Sequence, residues 1–542
     1  MLKPIQLSFC LLLLTACQPT EQSSAPSDAD MPVSVDTTYG PVQAVDIRGL
    51  KAFLAIPFAA PPVGELRWSP PQPPERWDAP LINHTPASIC MQTPFDTDPP
   101  GTPPPSEDCL YLNVWAPAEP PETPLPVMVW IHGGGFTAGT AAHPVYTPDA
   151  LVNEGVIYVS IAYRLGPFGF LAHPGLSEES ATGTSGNYGL LDQIEALKWV
   201  KSNIAGFGGD PDNITIFGES AGGMSVAALK TSPLAAGLFD KAISQSGGLM
   251  TPPAETLNPA SVALPTLSQA EAIGEDLFTR LNTADITSAR ALSAETLLGE
   301  PSIYAPVLDD VILPLDIRSS YETGQTNAGP LLIGWNSDEG AMFVHADDPA
   351  AFQASIRDTY GDAAEEILSV YPHDTPEDTL QSARDLFRDS AFAWSSLTMA
   401  RLVDERSEGP VFAYVFNQHL PVDPGALMYS AAGSTHASEI SYVFGSFDAP
   451  VFGFDPRPPA YTDADKVLSD QMTQYWVNFA KTGNPNGEGL PLWPEFHTSD
   501  EQLMELKSAP APIDVPQLDK LNALETHFVA QRAAWLGSFA DE

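Results

Sequence analysis

Residues 213–225 read NITIFGESAGGMS and contain the pattern G-x-S-x-G, with Ser220 at its centre. This pattern is typical of a nucleophile elbow, in which a sharp turn between a strand and a helix exposes the serine oxygen. The context fits, because residues 214–217 are β-branched or aromatic and residues 221–230 have the small and apolar spacing of a helix. We therefore predict that Ser220 is a nucleophile that attacks a carbonyl carbon.

A glycine run, WIHGGGF, occupies residues 130–136 and directly follows an apolar segment. Glycine allows backbone N–H groups to approach an oxyanion closely, so we assign the oxyanion hole to the N–H groups of Gly134, Gly135 and Ala221. A phosphate-binding loop is the alternative interpretation. It fails because neither Gly-Lys-Ser/Thr nor G-x-G-x-x-G follows. His132 is expected to be structural.

A serine hydroxyl needs a base, and the base needs an acid that orients it, in the chain order serine, acid, histidine. The segment PLLIGWNSDEG (330–340) predicts a strand ending in a turn with two carboxylates, Asp338 and Glu339, and by position either is a candidate acid. Six histidines follow Glu339. From the residues alone, His419, which follows an apolar run, competes with His436.

The elements that would position these residues alternate between strands and helices. Short apolar runs without polar alternation are typical of strands buried on both faces of a parallel sheet. Helical spacing begins near Asn187, continues after Ser220 and returns in the C-terminal segment. The sequence therefore predicts an α/β fold with a central, mostly parallel sheet. The strand-like runs are residues 110–117, 126–134, 156–164, 213–218, 241–247, 330–335 and 411–416.

Several further blocks, together with the elbow and the glycine run, resemble the type-B carboxylesterase/lipase family, the α/β-hydrolase branch that contains the cholinesterases. The resemblance extends from about residue 36 to the C-terminus, and it implies an α/β-hydrolase fold with flanking helices and long loop insertions. The blocks are EDCLYLNV (107–114), NYGLLDQ (187–193), FGGDP (207–211), FAKTGNPN (479–486) and LWP (492–494).

The resemblance also chooses between the alternatives left open above. It implies that Glu339 is the catalytic acid, since the family carries its glutamate in this D-E-G block. It implies that His436 is the base, because GSTHASEISYVFG (433–445) is similar to the family's histidine block. For Glu219, beside the nucleophile, two roles stay open: a supporting hydrogen bond, or electrostatic support of charged His436.

The N-terminus predicts export. Residues 1–17 carry a lysine, an apolar run too short to span a bilayer, and the ending LTAC, which resembles the lipobox of bacterial lipoproteins. We expect lipidation at Cys17, a flexible linker over residues 18–31 and a single domain over residues 32–542. The predicted location is the bacterial cell envelope, with the lipid anchor as the only membrane contact. Ordinary secretory cleavage is the alternative.

Export also bears on the cysteines. Cys10 lies in the signal segment and Cys17 is the lipidation site, which leaves Cys90 and Cys109. In an oxidising compartment these two most simply form one disulfide, worth roughly 3 kcal/mol in the chain-entropy model, while two free buried thiols are the alternative. The pair also matches the first disulfide loop of the family that the sequence resembles.

Composition limits the partners. The 542 residues include 68 acidic and 24 basic side chains, giving a formal charge of -44, and no cluster of Lys and Arg interrupts the acidic character. Such a field repels nucleic acid and anionic lipid, so we expect no nucleic-acid partner. Motifs such as H-E-x-x-H are absent, and the predicted reaction needs no metal and no organic cofactor.

Together these features predict a serine carboxylesterase that hydrolyses small uncharged esters through an acyl-enzyme on Ser220. Cholinesterases bind a quaternary ammonium with aromatic rings, notably a tryptophan in the first disulfide loop, whereas this loop has Phe95 and no tryptophan. Acetylcholine is therefore disfavoured as a substrate. The alternatives are an inactive binding or adhesion domain of the same fold, or a hydrolase of lactones, carbamates or amides.

Overall fold

The computed structural model describes residues 33–93, 102–253, 263–406, 408–449 and 459–538. The predicted signal segment, linker and lipidated Cys17 lie outside these residues, so the predicted domain boundaries stay a prediction. The strands are β1 (Ser34–Asp36), β2 (Pro41–Gln43), β3 (Val45–Ile47), β4 (Leu50–Pro57), β5 (Ile89–Cys90), β6 (Pro105–Ser106), β7 (Tyr111–Ala116), β8 (Leu125–Ile131), β9 (Ile157–Ile161), β10 (Gly209–Glu219), β11 (Lys241–Gln245), β12 (Leu331–Asn336), β13 (Val411–Phe416), β14 (Gln502–Leu506) and β15 (Ala511–Asp514).

The α-helices of the described residues lie mostly between these strands. They are α1 (Asp149–Asn153), α2 (Gly166–Gly169), α3 (Pro174–Glu179), α4 (Tyr188–Asn203), α5 (Ala221–Thr231), α6 (Leu267–Arg280), α7 (Ile286–Arg290), α8 (Ala294–Leu298), α9 (Ile317–Thr323), α10 (Pro349–Tyr360), α11 (Ala364–Val370), α12 (Pro376–Arg388), α13 (Trp394–Arg406), α14 (Ile440–Phe444), α15 (Asp463–Thr482) and α16 (Leu518–Ser538). Within the described ranges, no helix has the length and apolar character that crossing a bilayer requires.

An eleven-stranded sheet organises the described residues from β3 onward, in the order β15-β14-β13-β12-β11-β10-β8-β9-β7-β4-β3. Every neighbouring pair from β14 through to β9 is parallel. The antiparallel pairs lie towards the two edges. Because the carboxyl ends of parallel strands meet at one edge of a sheet, the loops after β8, β10, β11 and β12 lie close together.

The central strands are apolar throughout because helices cover both faces of the sheet. Val127, Val129 and Ile131 of β8 pack into a core with α4, α5 and α13. The alternating residues Met128 and Trp130 pack into a second core with α14 and α15. The absence of polar alternation in the sequence thus reflects burial on two sides.

All seven strand-like runs form strands, which confirms the mostly parallel sheet. Residues 110–117 are an exception in direction, because β7 is antiparallel to both of its neighbours. The predicted helices correspond to α4, α5 and α16. The strands β1–β6, β14 and β15 were not identified from the sequence, and five of them, β1, β2, β3, β5 and β6, contain only two or three residues each.

Candidate active site

Ser220 forms the turn between β10, which ends at Glu219, and α5, which begins at Ala221. Its backbone has φ 57° and ψ -125°, a conformation that a residue with a Cβ atom rarely adopts. The Ser220 N–H donates to the carbonyl of Gln245 at 2.9 Å, and the Ser220 carbonyl accepts from the Met224 N–H at 2.8 Å. These bonds hold a partly exposed serine in a strained turn, as a nucleophile elbow requires.

The two glycines of the elbow have no room for a side chain. A Cβ atom at Gly222 would lie 2.0 Å from the carbonyl oxygen of Ile131 on β8. A Cβ atom at Gly218 would lie 2.6 Å from the same oxygen. The pattern G-x-S-x-G is therefore a packing requirement, because α5 starts directly against the neighbouring strand.

The glycine run lies beside the elbow because β8 and β10 are neighbours in the sheet. A Cβ atom at Gly133 would be 3.0 Å from the Cβ atom of Ser220. Gly134 and Gly135 are exposed, with φ of 107° and 62°. Within the described residues, the N–H groups of Gly134, Gly135 and Ala221 donate no hydrogen bond, so they are available to an oxyanion.

Residues next to the Cys90–Cys109 disulfide support the glycine run. Cys90 and Cys109 are joined by a disulfide. Two residues after Cys90, the Gln92 side chain donates to the carbonyl of Gly139 and accepts from its N–H, each at 2.8 Å. Gly139 in turn packs on His132, since a Cβ atom at Gly139 would lie 2.4 Å from the imidazole.

His132 lies beneath the glycine run as an element of this support. Its ring stacks on Tyr163 at 4.5 Å, and the Tyr163 hydroxyl donates to the His132 carbonyl at 2.8 Å. Burial lowers the pKa of His132 to about 4, so the ring is neutral at neutral pH. These contacts fit the structural role expected from the sequence.

Glu339 and His436 form a buried pair. The carboxylate oxygen Oε2 of Glu339 lies 2.6 Å from Nδ1 of His436. The other oxygen of Glu339 accepts from the backbone N–H of Asn336 at 2.7 Å and from the Ser246 hydroxyl at 2.6 Å. The carboxylate is thus fixed by three partners, and it orients the imidazole with Nε2 as the atom left for proton transfer.

The Nε2 atom of His436 faces Glu219. It lies 3.2 Å from Oε1 of Glu219, without the alignment of a hydrogen bond, and that oxygen has no hydrogen-bond partner in the described part of the chain. The Ser220 hydroxyl also makes no hydrogen bond to any described residue. The structure therefore brings His436 to the residue next to Ser220, and the serine–histidine hydrogen bond is not formed in it.

The charges around His436 favour its protonated form. Burial alone would lower the pKa of His436, but the carboxylates of Glu219, Glu339 and Glu439 raise it to about 9. Burial raises the pKa of Glu219 well above its ordinary value, His436 acts to lower it, and Glu439 and Glu339 raise it further. Both roles left open for Glu219 stay predictions, and the observation that bears on them is the 3.2 Å separation between its Oε1 and Nε2 of His436.

Asp338 and His419, the other candidates for the acid and the base, make different contacts. The carboxylate of Asp338 accepts from the hydroxyl of Ser430, and its backbone N–H donates to the carbonyl of Ser434 at 2.9 Å, so it fixes the turn. His419 is exposed, and no hydrogen bond joins it to Glu339 within the described ranges. The structure thus pairs the acid and the histidine that the family resemblance implied.

Sequence reasoning missed four polar residues around this pair. Ser246 bonds Glu339 from the end of β11, and Glu439 accepts from Gln245 at 3.0 Å and from the Asn336 side chain at 2.7 Å. Glu439 follows His436 by three residues, about one helical turn, which is the one signal that the sequence offered. Among the described residues, no group of His, Cys, Asp and Glu is arranged to hold a metal ion.

Comparison with known proteins agrees with this geometry. The model of the carboxylesterase family matches residues 32–528. The chain belongs to the carboxylesterase family. The para-nitrobenzyl esterase of Bacillus subtilis (strain 168) is 37% identical over 508 residues, which cover 90% of this chain and 98% of the relative. The fumonisin B1 esterase of Sphingopyxis macrogoltabida is 36% identical over 483 residues, covering 86% and 85%.

Solved structures extend the comparison to the fold of the carboxylesterase. A PNB esterase structure matches with a TM-score of 0.76 at 35% identity, covering 91% of this chain and 99% of that chain. A second, thermophilic PNB esterase gives a TM-score of 0.78 at 34% identity with the same coverage. The predicted α/β-hydrolase fold is confirmed, and the enzyme is a carboxylic ester hydrolase.

Proposed function

We propose that this carboxylesterase hydrolyses small uncharged carboxylic esters through an acyl-enzyme on Ser220. In the first step, His436 takes the Ser220 proton while Oγ attacks the ester carbonyl, and the N–H groups of Gly134, Gly135 and Ala221 bind the oxyanion. His436 then protonates the leaving alcohol. Water repeats the sequence on the acyl-enzyme and releases the acid.

The observation that carries the proposal is the buried Glu339–His436 contact of 2.6 Å, with Nε2 facing Glu219, the residue next to Ser220. The absence of a serine–histidine hydrogen bond does not conflict with it, because catalytic hydrogen bonds in substrate-free enzymes are often long and tighten when substrate binds. The N–H groups of Gly134, Gly135 and Ala221, which donate no hydrogen bond within the described residues, further support the proposal, since an oxyanion needs such donors.

The substrate class rests on the surroundings of His436. The ring of Phe343 is 45% exposed and lies 5.3 Å from the imidazole, so it offers an apolar contact to a bound ester. Two of the relatives are named as esterases of fumonisin B1 and of para-nitrobenzyl esters. The acyl and alcohol preference of this enzyme is tested with an ester panel, read as kcat/KM. An uncharged ester should exceed the choline ester of the same acid by at least about tenfold.

The mechanism is tested by labelling. A p-nitrophenyl phosphonate should add one phosphonyl group to the wild type, detected by intact mass, and the adduct should map to the peptide that contains Ser220. Ser220→Ala should not be labelled and should have near-background esterase activity, whereas Ser202→Ala, at an exposed serine of α4, should behave as the wild type. Equal, near-background hydrolysis by wild type and Ser220→Ala would refute the esterase and leave a binding domain as the alternative.

Export and anchoring are part of the proposal. The support is the sequence of residues 1–17, which ends at Cys17. Globomycin, which blocks the lipoprotein signal peptidase, should make a larger precursor accumulate in bacteria that express the full chain. A mature protein of unchanged size would exclude lipidation at Cys17 and favour ordinary secretion.

A further inference from the structure

An aromatic ring covers one face of the His436 imidazole. The ring centroid of Phe392 lies 4.8 Å from that of the imidazole, and the two planes make an angle of only 17°. Phe392 is 4% exposed, so this contact is part of the interior. Phe343 also approaches the imidazole, but at 59° to its plane. Phe392 is therefore the ring that presents its face to His436.

The position of Phe392 depends on a local irregularity of the backbone. Residues Asp389–Ala393 form a π-helical turn between α12 and α13. Such a turn inserts one extra residue into a helix and rotates the side chains that follow, and it recurs at functional sites. The Ser390 hydroxyl donates to the carbonyl of Leu386 at 2.7 Å and so supplies a partner within the widened turn.

The π-helical turn is also connected by hydrogen bonds to the loop that carries Glu339. Asp389 accepts from Arg388 Nε at 2.7 Å and from the Tyr371 hydroxyl at 2.9 Å. Arg388 in turn donates to the carbonyl of Ser337 at 2.9 Å, two residues before Glu339. A buried ion pair thus connects the segment that presents Phe392 to the segment that presents the carboxylate.

We propose that Phe392 is a positioning residue for the base. It holds the plane of the imidazole so that Nδ1 stays on Glu339, and its negative π face stabilises the imidazolium that forms when His436 takes the serine proton. The carboxylates of Glu219, Glu339 and Glu439 act on the same imidazole. This inference rests on the proposed role of His436 as general base.

The test compares Phe392→Leu, Phe392→Tyr and the matched control Phe387→Leu. Phe387 lies 6.1 Å from Phe392 and makes no ring contact with His436 among the described residues. The measurement is kcat/KM for p-nitrophenyl acetate from about pH 5 to about pH 10, because its acidic limb reports the base of the free enzyme. Heat denaturation of each variant shows whether it is folded.

Phe392→Leu should lower kcat/KM by about two- to tenfold and move the acidic limb to lower pH by about half a unit or more, since the protonated imidazole loses its aromatic partner. Phe392→Tyr keeps the ring and should stay within about twofold of the wild type, with its limb unmoved. Phe387→Leu should leave the limb in place. If Phe392→Leu does not fold, Phe392→Met, which fills similar space without a π face, should show the same loss and shift.

An unmoved acidic limb in Phe392→Leu, or the same shift in Phe387→Leu, would overturn the role of Phe392. The His436→Ala variant separates this failure from failure of the proposed function. If His436→Ala is inactive while the limb of Phe392→Leu does not move, only the role of Phe392 is refuted. If His436→Ala keeps wild-type activity, the general base itself was assigned wrongly.

Discussion

The side-chain nitrogen of Asn336 lies 2.9 Å from the carbonyl oxygen of Thr435, the residue that precedes His436. The same nitrogen donates to Glu439 at 2.7 Å, and the backbone N–H of Asn336 donates to Glu339. One asparagine at the end of β12 therefore joins the turn that carries Glu339 to the loop that carries His436. We infer that Asn336 sets the distance between Glu339 and His436 through these bonds.

Replacing Asn336 by alanine should lower kcat by about tenfold to a hundredfold with little change in KM, because a small misplacement of the base costs rate more than binding. The check is steady-state kinetics with a p-nitrophenyl ester, together with the free energy of unfolding. Asn203→Ala is the control, since Asn203 is also buried and bonds Thr38 and Trp199. It should lose stability at nearly unchanged kcat, and an equal loss of kcat in both variants would contradict the inference.

The pH profile should reflect the raised pKa of His436. A base must be unprotonated to act, so a pKa of about 9 means that kcat/KM rises with pH through the alkaline range. In Glu219→Gln one of the carboxylates that raise this pKa is gone, so the acidic limb should move to lower pH by about one unit. Glu195→Gln on α4 is the control and should leave the limb in place. A limb that stays put in Glu219→Gln would exclude electrostatic support by Glu219.

The glycine run should depend on Gln92. Because its side chain bonds both backbone groups of Gly139, Gln92→Ala should loosen the oxyanion donors and reduce kcat by about tenfold or more. Gln92→Glu keeps the acceptor but not the donor and should fall between alanine and the wild type. The exposed Gln72 serves as the control position. Wild-type kcat in Gln92→Ala would show that the run holds its shape unaided.

Gly222 should tolerate no side chain. The Cβ atom of alanine would overlap the carbonyl oxygen of Ile131, so we expect Gly222→Ala to be destabilised by about 3 kcal/mol or to remain unfolded. Gly425→Ala is the matched substitution, because no atom lies within 4 Å of the position where its Cβ would be. Urea unfolding of both variants decides the matter, and equal stabilities would mean that α5 can move away from β8.

The parts of this enzyme that were predictable are those with a local signature. The elbow, the glycine run and the buried strands could each be predicted from consecutive residues, because strand burial and turn geometry are properties of short segments. The choice of Glu339 over Asp338, and of His436 over His419, was not local and needed the resemblance to a family. In the structure the difference is packing, since Asp338 faces Ser430 and His419 faces solvent.

The supporting residues could not be predicted because tertiary contacts define them. Asn336 ends β12 and Ser246 follows β11, and both bond Glu339 at the carboxyl ends of these neighbouring strands. The π-helical turn that presents Phe392 could not be predicted from helical periodicity, because one inserted residue shifts the phase of the apolar pattern only slightly. The polar partners of Glu339 and His436 are therefore determined by the arrangement of the strands in the sheet.

The positive φ of Ser220 has a consequence for which residues selection favours at this position. With φ 57°, Ser220 adopts a backbone conformation that glycine adopts readily and that costs a serine about 1–3 kcal/mol of stability. A population of variants selected only for surviving heat should accumulate glycine at this position, and one selected for turnover should keep serine. If Ser220 is the nucleophile as proposed, selection for heat resistance and selection for ester cleavage favour different residues at this one position.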